Sequence, residues 1–220
     1  MHDLVNAKAL VFDFDGTLAP NLDLPDMRRQ VIELTNANAV PNHIFEHLYI
    51  VEVIDAATEW LQQHSRPAAE VYQEAAHQLI TDIELNAAKS TEPFPAARTL
   101  AATLRAYGRK TAVVTRNCSA AVHTIFPDVG DVFDIVLARD DVEYLKPDTR
   151  HITQALDELS VSPPNSAMIG DGGIDMRTAK SLDMYCVGVL TGSGDTDALL
   201  DAGANVIVPH VGHLVELDWS

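Results

Sequence analysis

The sequence predicts an α/β fold: a doubly wound, parallel, Rossmann-like sheet with an α-helical domain inserted near its start. Three observations predict it. Short apolar runs rich in β-branched residues recur along the chain, each too brief for a helix, as expected of strands buried on both faces. Helical stretches separate the later runs, and strand–helix–strand alternation is the pattern of a parallel sheet. The rhythm lapses for some seventy residues after Leu18, where apolar residues recur only at helical spacing. The predicted division is therefore a sheet domain of residues 1–18 and 93–220, with a helical domain of residues 19–92 between them.

The first strand is Ala9-Leu10-Val11-Phe12. In the insertion, Pro25 and Pro67 stand where a helix can begin, and Asn42 is a plausible N-cap. Ile44, Leu48, Val51 and Leu61 predict one apolar helical face, and Val71, Ala75, Leu79 and Ile83 another. The chain returns at Glu92-Pro93-Phe94-Pro95. A helix follows from Ala96 to Tyr107, and Gly108 stands where a left-handed cap belongs. Further strands are predicted at residues 111–114, 133–137, 167–169, 186–190 and 206–208, with helices at 151–159 and 175–182. The two cysteines, Cys118 and Cys186, are far apart and read as small buried hydrophobes of a reducing compartment.

Charge limits the partners. The 220 residues hold 15 Lys and Arg against 32 Asp and Glu, a formal net charge of −17. Nucleic acid and anionic bilayers are bound chiefly through clustered Lys and Arg, so neither is expected as a partner. With 47% hydrophobic residues the chain is not disordered by composition, which requires low hydrophobicity as well. The first eight residues lack the basic-then-apolar pattern of a signal peptide, and the uncharged run from Ala202 to Val215 is too short for a membrane helix. A cytoplasmic monomer or homodimer acting on a small molecule is expected.

Four segments carry chemistry. Asp13-Phe14-Asp15-Gly16-Thr17 follows the first strand and delivers two carboxylates to the sheet's carboxyl edge, where such sheets bind ligands; an acidic turn is the plain alternative. Thr115-Arg116-Asn117 ends another strand, and a hydroxyl with successive backbone N–H groups makes a cradle for phosphate oxygens, although Thr and Asn are also ordinary helix caps. In Leu145-Lys146-Pro147 a lysine able to neutralise phosphate precedes a helix; most single lysines are merely solvated. Gly170-Asp171-Gly172-Gly173-Ile174-Asp175 places two carboxylates one helical turn apart, hard donors that suit Mg²⁺ or, alternatively, cap a helix. Their order and their strand-end placement outweigh the alternatives taken singly.

In this ordered set the sequence resembles the haloacid dehalogenase-like hydrolases, above all their phosphoglycolate phosphatase-like branch with a helical cap. The resemblance extends from Lys8 nearly to the last residue and includes Phe94-Pro95, Lys146-Pro147 and the stretch from Gly170 to Lys180. It implies that Asp13 attacks phosphorus and that Asp15 protonates the leaving alcohol and then activates water. Thr115, with Arg116 and Asn117 behind it, would hold the phosphoryl group, and Lys146 would offset negative charge. Mg²⁺ would be bound by Asp13, the Asp15 carbonyl and Asp171, with Asp175 in support. The physics is coherent: a carboxylate nucleophile splits one displacement into two, and cations must screen its approach to a dianion.

Departures from the branch lie at Ala19-Pro20-Asn21, Ala96 and Asp183; the last stands where glycine is usual, and Asp tolerates the left-handed conformation. Asp15 argues against a dehalogenase, which lacks it. Lys89 is the only lysine between residues 19 and 90, which argues against a phosphonatase using a lysine in the cap. The alternatives kept are a phosphomutase of the β-phosphoglucomutase type, whose Arg- and Gly-containing cap pattern is not found here, and a non-catalytic binding protein. Arg28 and Arg29 are the expected specificity contacts of the cap.

Overall fold

In the computed structural model, which describes residues 2–220, a short helix α1 (His2–Val5) precedes strand β1 (Ala9–Phe12). Helices α2 (Leu24–Ala37), α3 (Ile50–His64) and α4 (Arg66–Ala88) follow, then α5 (Pro95–Ala106) and β2 (Lys110–Val114). The chain continues through α6 (Ser119–Ile125), α7 (Val129–Val132), β3 (Ile135–Leu137) and α8 (Thr149–Leu159). The remaining elements are β4 (Ser166–Gly170), α9 (Gly173–Lys180), β5 (Tyr185–Val189), α10 (Thr196–Asp201) and β6 (Val206–Val208). Two compact units result: one comprises the chain up to Leu22 together with Ala88–Ser220, the other Asp23–Ala87.

In the larger unit, the strands of the described residues form a six-stranded sheet in the order β3-β2-β1-β4-β5-β6, every pair parallel. This is the doubly wound order, and its direction reverses between β1 and β4, where a ligand crevice forms at the carboxyl edge. All four β1 residues are fully buried. Ala9 and Val11 pack on one face with Ile152, Leu156, Met168 and Met176 of α8, β4 and α9. Phe12 meets Phe133 edge-on at 5.6 Å between ring centroids, and Phe126 continues the aromatic cluster. Pro95 opens α5, Gly108 ends it at φ +70°, and Asp183 takes the left-handed conformation at φ +58°. Strand β3 is shorter than the apolar run suggested: Phe133 closes α7, and Asp134 turns its carboxylate onto the Thr111 N–H and hydroxyl. Both cysteines are buried thiols.

The smaller unit is helical, but two of its expected details change. Asn42 does not cap an α-helix. It begins a 3₁₀ turn (Asn42–Ile44) after Pro41, and extended backbone at Tyr49 (ψ 169°) starts α3 only at Ile50. Ile44 and Leu48 therefore lie outside the helix that their spacing implied. In α4 the buried residues are Ala69, Tyr72, Ala76, Ile80, Glu84 and Ala88, whereas Val71 is 68% exposed. The buried face is rotated by one residue from the expected one, and its Tyr72 meets Thr35 of α2 through a buried 2.7 Å hydroxyl pair. Arg28 donates to the carbonyls of Glu46 and Leu48, and Arg29 pairs with Asp26 and Glu33, so both expected specificity residues have partners within their own unit.

Candidate active site

The site grows from the way strands end. Beyond Phe12, the Asp13 N–H still donates to the Ile169 carbonyl at 2.9 Å, so its main chain is fixed by β4. Thr115 is held equally at the end of β2 by its 3.0 Å bond to the Leu137 carbonyl. Gly16 then takes φ +77°, and its N–H donates to the Ala19 carbonyl, folding the chain sharply back. The Phe94 N–H donates to the Leu18 carbonyl at 2.8 Å, tying the two crossings of the chain together.

Lys146 is the centre of the arrangement. Its side chain is 1% exposed, and its Nζ donates to Asp13 Oδ1 at 2.8 Å and to Asp175 Oδ1 at 2.7 Å. The other Asp175 oxygen accepts the Gly172 N–H at 3.2 Å, which caps α9 as well. Asp171 Oδ2 accepts the Ser193 N–H at 2.6 Å and the Ser193 hydroxyl at 2.9 Å. Asn117 donates its side-chain amide to both Asp15 oxygens at 3.1 Å, while its N–H donates to Thr115 Oγ1. The Arg116 guanidinium donates to the Lys146 carbonyl. The side chains of Arg116 and Asn117 thus engage the lysine loop and Asp15.

Burial dominates the electrostatics. It raises the Asp13 pKa well above its ordinary value; Lys146 opposes the shift, and Asp175, Asp171 and Asp15 add to it. Burial and then Asp175 raise Asp171, against the two Ser193 bonds. For Lys146, burial disfavours the charge, but Asp13 and Asp175 more than offset it and its pKa stands above the ordinary value. Lys146 thus bridges two carboxylates, Asp13 and Asp175, while Asp171 is held by Ser193. Asp13, Asp171 and Asp175 each bring a carboxylate oxygen within 4.8 Å of the others. An all-oxygen cluster of carboxylates fits a hard divalent cation.

Residues that the sequence reading did not select complete the site. The loop Thr191-Gly192-Ser193-Gly194 follows β5, and the Thr191 hydroxyl donates to the Gly16 carbonyl at 2.5 Å while Ser193 grips Asp171. A Cβ on Gly192 would lie 2.0 Å from Asp171 Oδ2, and one on Gly16 2.6 Å from the same atom. The usable signal was a Gly- and Ser-rich run at another strand's carboxyl end. We expect Gly192→Ala to push Asp171 aside and lower kcat about 100-fold, the scale of an ångström of misplacement at a reacting centre. Steady-state kinetics beside a melting curve check this; unchanged kcat would show that the loop, rather than Asp171, gives way.

Known proteins resemble this chain over most of its length. The sequence model of the family described as haloacid dehalogenase-like hydrolase matches residues 10–189. A phosphoglycolate phosphatase of Neisseria meningitidis is 24% identical over 200 residues, 88% of this chain and 85% of that protein. The crystal structure of a hydrolase from Pseudomonas syringae superposes with a TM-score of 0.67 at 21% identity, covering 94% of this chain and 96% of the other. A β-phosphoglucomutase structure from Clostridium difficile also reaches 0.67, at 17% identity, covering 94% and 93% of the two chains. At such identities the structural likeness concerns the fold alone.

Proposed function

The chain belongs to the haloacid dehalogenase-like hydrolase family, and from that premise we propose that it is a Mg²⁺-dependent phosphatase acting on a small phosphate monoester through an aspartyl-phosphate. The observation that carries the reading is the buried bridge from Asp13 through Lys146 to Asp175, beside Asp171, at the sheet's switch point. An Asp13 carboxylate oxygen attacks phosphorus, and the ester P–O bond breaks as the leaving oxygen takes a proton from Asp15. Water then attacks the phosphorus, Asp15 takes its proton, and the bond to Asp13 breaks to release phosphate. Asn117 holds Asp15 through both oxygens. The Thr115 oxygen accepts the Asn117 N–H, so its own O–H is the donor offered to a phosphoryl oxygen. Lys146 neutralises charge on the nucleophile and on the phosphoryl group. Asp13 and Asp171, with Asp175 in support and the Asp15 carbonyl as a further donor, would hold the metal, which when bound supplies Lewis-acid charge stabilisation. By its insertion after Leu18, the helical unit is proposed to select the ester.

The test is phosphate release from phosphoglycolate, sugar phosphates, nucleotides, pyrophosphate and an aryl phosphate, with Mg²⁺ and with a chelator. Release from at least one monoester, stopped by the chelator, is expected; no release from any of them would overturn the reading. The net charge of −17, to which residues 19–90 contribute −7, sets a further expectation. An anionic ester approaches against the protein's field, so added salt at low ionic strength should leave kcat/KM level or raise it. A fall in kcat/KM with salt would reveal attractive steering instead.

A further inference from the structure

The catalytic lysine is held by its main chain as well as by its ion pairs. His151 lies five residues beyond Lys146 in α8 and is fully buried. Its Nδ1 accepts the Lys146 N–H at 3.3 Å, and its Nε2 lies 3.2 Å from the Leu137 carbonyl at the end of β3. A carbonyl can only accept, so Nε2 carries the hydrogen and Nδ1 is the free acceptor. On its other side the Lys146 carbonyl accepts from Arg116. Both main-chain polar groups of the lysine thus end on side chains from other segments, one of them fixed to the sheet.

We propose that His151 is a positioning residue for Lys146: from its place in α8 its Nδ1 fixes the lysine's N–H, the Leu137 bond serving to hold the ring in the tautomer that can accept, and so it sets where the ammonium meets Asp13. The proposal rests on the reading of Lys146 as a catalytic charge. Burial alone does not explain the residue: an aliphatic side chain would fill the same space but take away the acceptor of the buried Lys146 N–H, whereas the Leu137 carbonyl would keep the Thr115 N–H. Burial, followed by the charge of Lys146, holds the imidazole pKa down to about 3, against the Leu137 bond. The ring is therefore neutral throughout the range in which the enzyme would work, and its acceptor is always available.

Three substitutions separate positioning from packing. His151→Asn places an amide oxygen where Nδ1 stands, and keeps the Lys146 bond while losing the one to Leu137. His151→Gln does the reverse, and His151→Phe keeps only the ring. With an aryl phosphate, His151→Asn should stay within a few-fold of wild type, whereas His151→Gln and His151→Phe should lose about 10- to 100-fold in kcat with a smaller change in KM. In a Lys146→Met background, His151→Phe should add no further loss. Amide hydrogen exchange at Lys146, slow in wild type and His151→Asn and faster in His151→Gln and His151→Phe, reads the bond without reference to turnover. Equal kcat in all three variants, equal exchange at the Lys146 amide, or an undiminished effect of His151→Phe without the lysine would each overturn the proposal. Equal turnover by wild type and Lys146→Met would instead overturn the reading of Lys146 as a catalytic charge, and the exchange result would still decide whether His151 anchors the loop.

Discussion

Asp13→Asn is expected to lower kcat at least about 10,000-fold while leaving the metal-free fold as stable as wild type or more so; losses of that order follow removal of a nucleophile. The amide has the shape of the carboxylate but cannot form the acyl phosphate, so binding of the ester should survive. The stability expectation has a separate cause. Asp13 shares its lysine with Asp175, and burial with the neighbouring acids holds the Asp13 pKa well above its ordinary value. A carboxyl whose folded pKa is raised makes the folded chain bind a proton that the unfolded chain releases. Its ionisation therefore costs stability progressively as pH rises from the ordinary carboxylate value through the raised one, and in full above that. The advantage of Asp13→Asn in chelator should accordingly grow from about pH 4 upward. The variant loses the charge of the 2.8 Å pair with Lys146, although its amide oxygen can still accept that bond, and the lysine keeps Asp175 at 2.7 Å. Denaturant melts at two pH values and a phosphate-release assay check both halves. Residual activity near wild type would remove Asp13 from the chemistry, and a less stable variant at high pH would mean that the Lys146 pair outweighs the repulsion.

The parts of this site legible in the sequence are those whose chemistry depends on residue type and strand-end position. β1 and β6 occupy the residues their apolar runs predicted, because a strand buried on both faces requires such a run. Asp13, Thr115 and Asp171 each follow a strand directly, so the strand predictions also placed these side chains. His151 was not legible, because its role depends on a hydrogen bond to a main-chain amide five residues away and on a carbonyl in another element. Ser193 was missed for a related reason: a Gly- and Ser-rich loop has no type-specific chemistry until Asp171 is brought against it. The rotated face of α4 shows the same limit. The spacing of Val71, Ala75, Leu79 and Ile83 does not reveal that the neighbouring face, with Tyr72 bonded to Thr35 and even Glu84 buried, is the one that packs.

Lys146→Met should act oppositely to Asp13→Asn on stability and similarly on turnover, and this contrast is the sharper test of the site. The lysine is buried at 1% exposure between two carboxylates, so its removal leaves Asp13 and Asp175 without their shared cation in a region of low polarity. Breaking a buried ion pair by deleting one partner costs about 3–5 kcal/mol, chiefly the penalty of the charge left behind. The Lys146 pKa is raised, so this contribution is complete below the ordinary lysine value and is lost only as pH rises through the raised one; measurements near neutrality see all of it. Turnover should fall about 100- to 1,000-fold, the usual loss when one donor to a developing oxyanion is removed. Two further measurements tie the effects to charge. Added Mg²⁺ should stabilise Lys146→Met more than wild type, because the same oxygen cluster then lacks its only internal counterion among the described contacts. A second substitution, Asp175→Asn, should recover part of the stability but none of the turnover, since it removes an orphaned charge without restoring a cation to Asp13. If Lys146→Met melts as wild type does in chelator, the two carboxylates are protonated or solvated without it, and the bridge contributes nothing to the fold. If it melts lower but turns over normally, the lysine is a structural counterion and the charge on the phosphoryl group is met elsewhere.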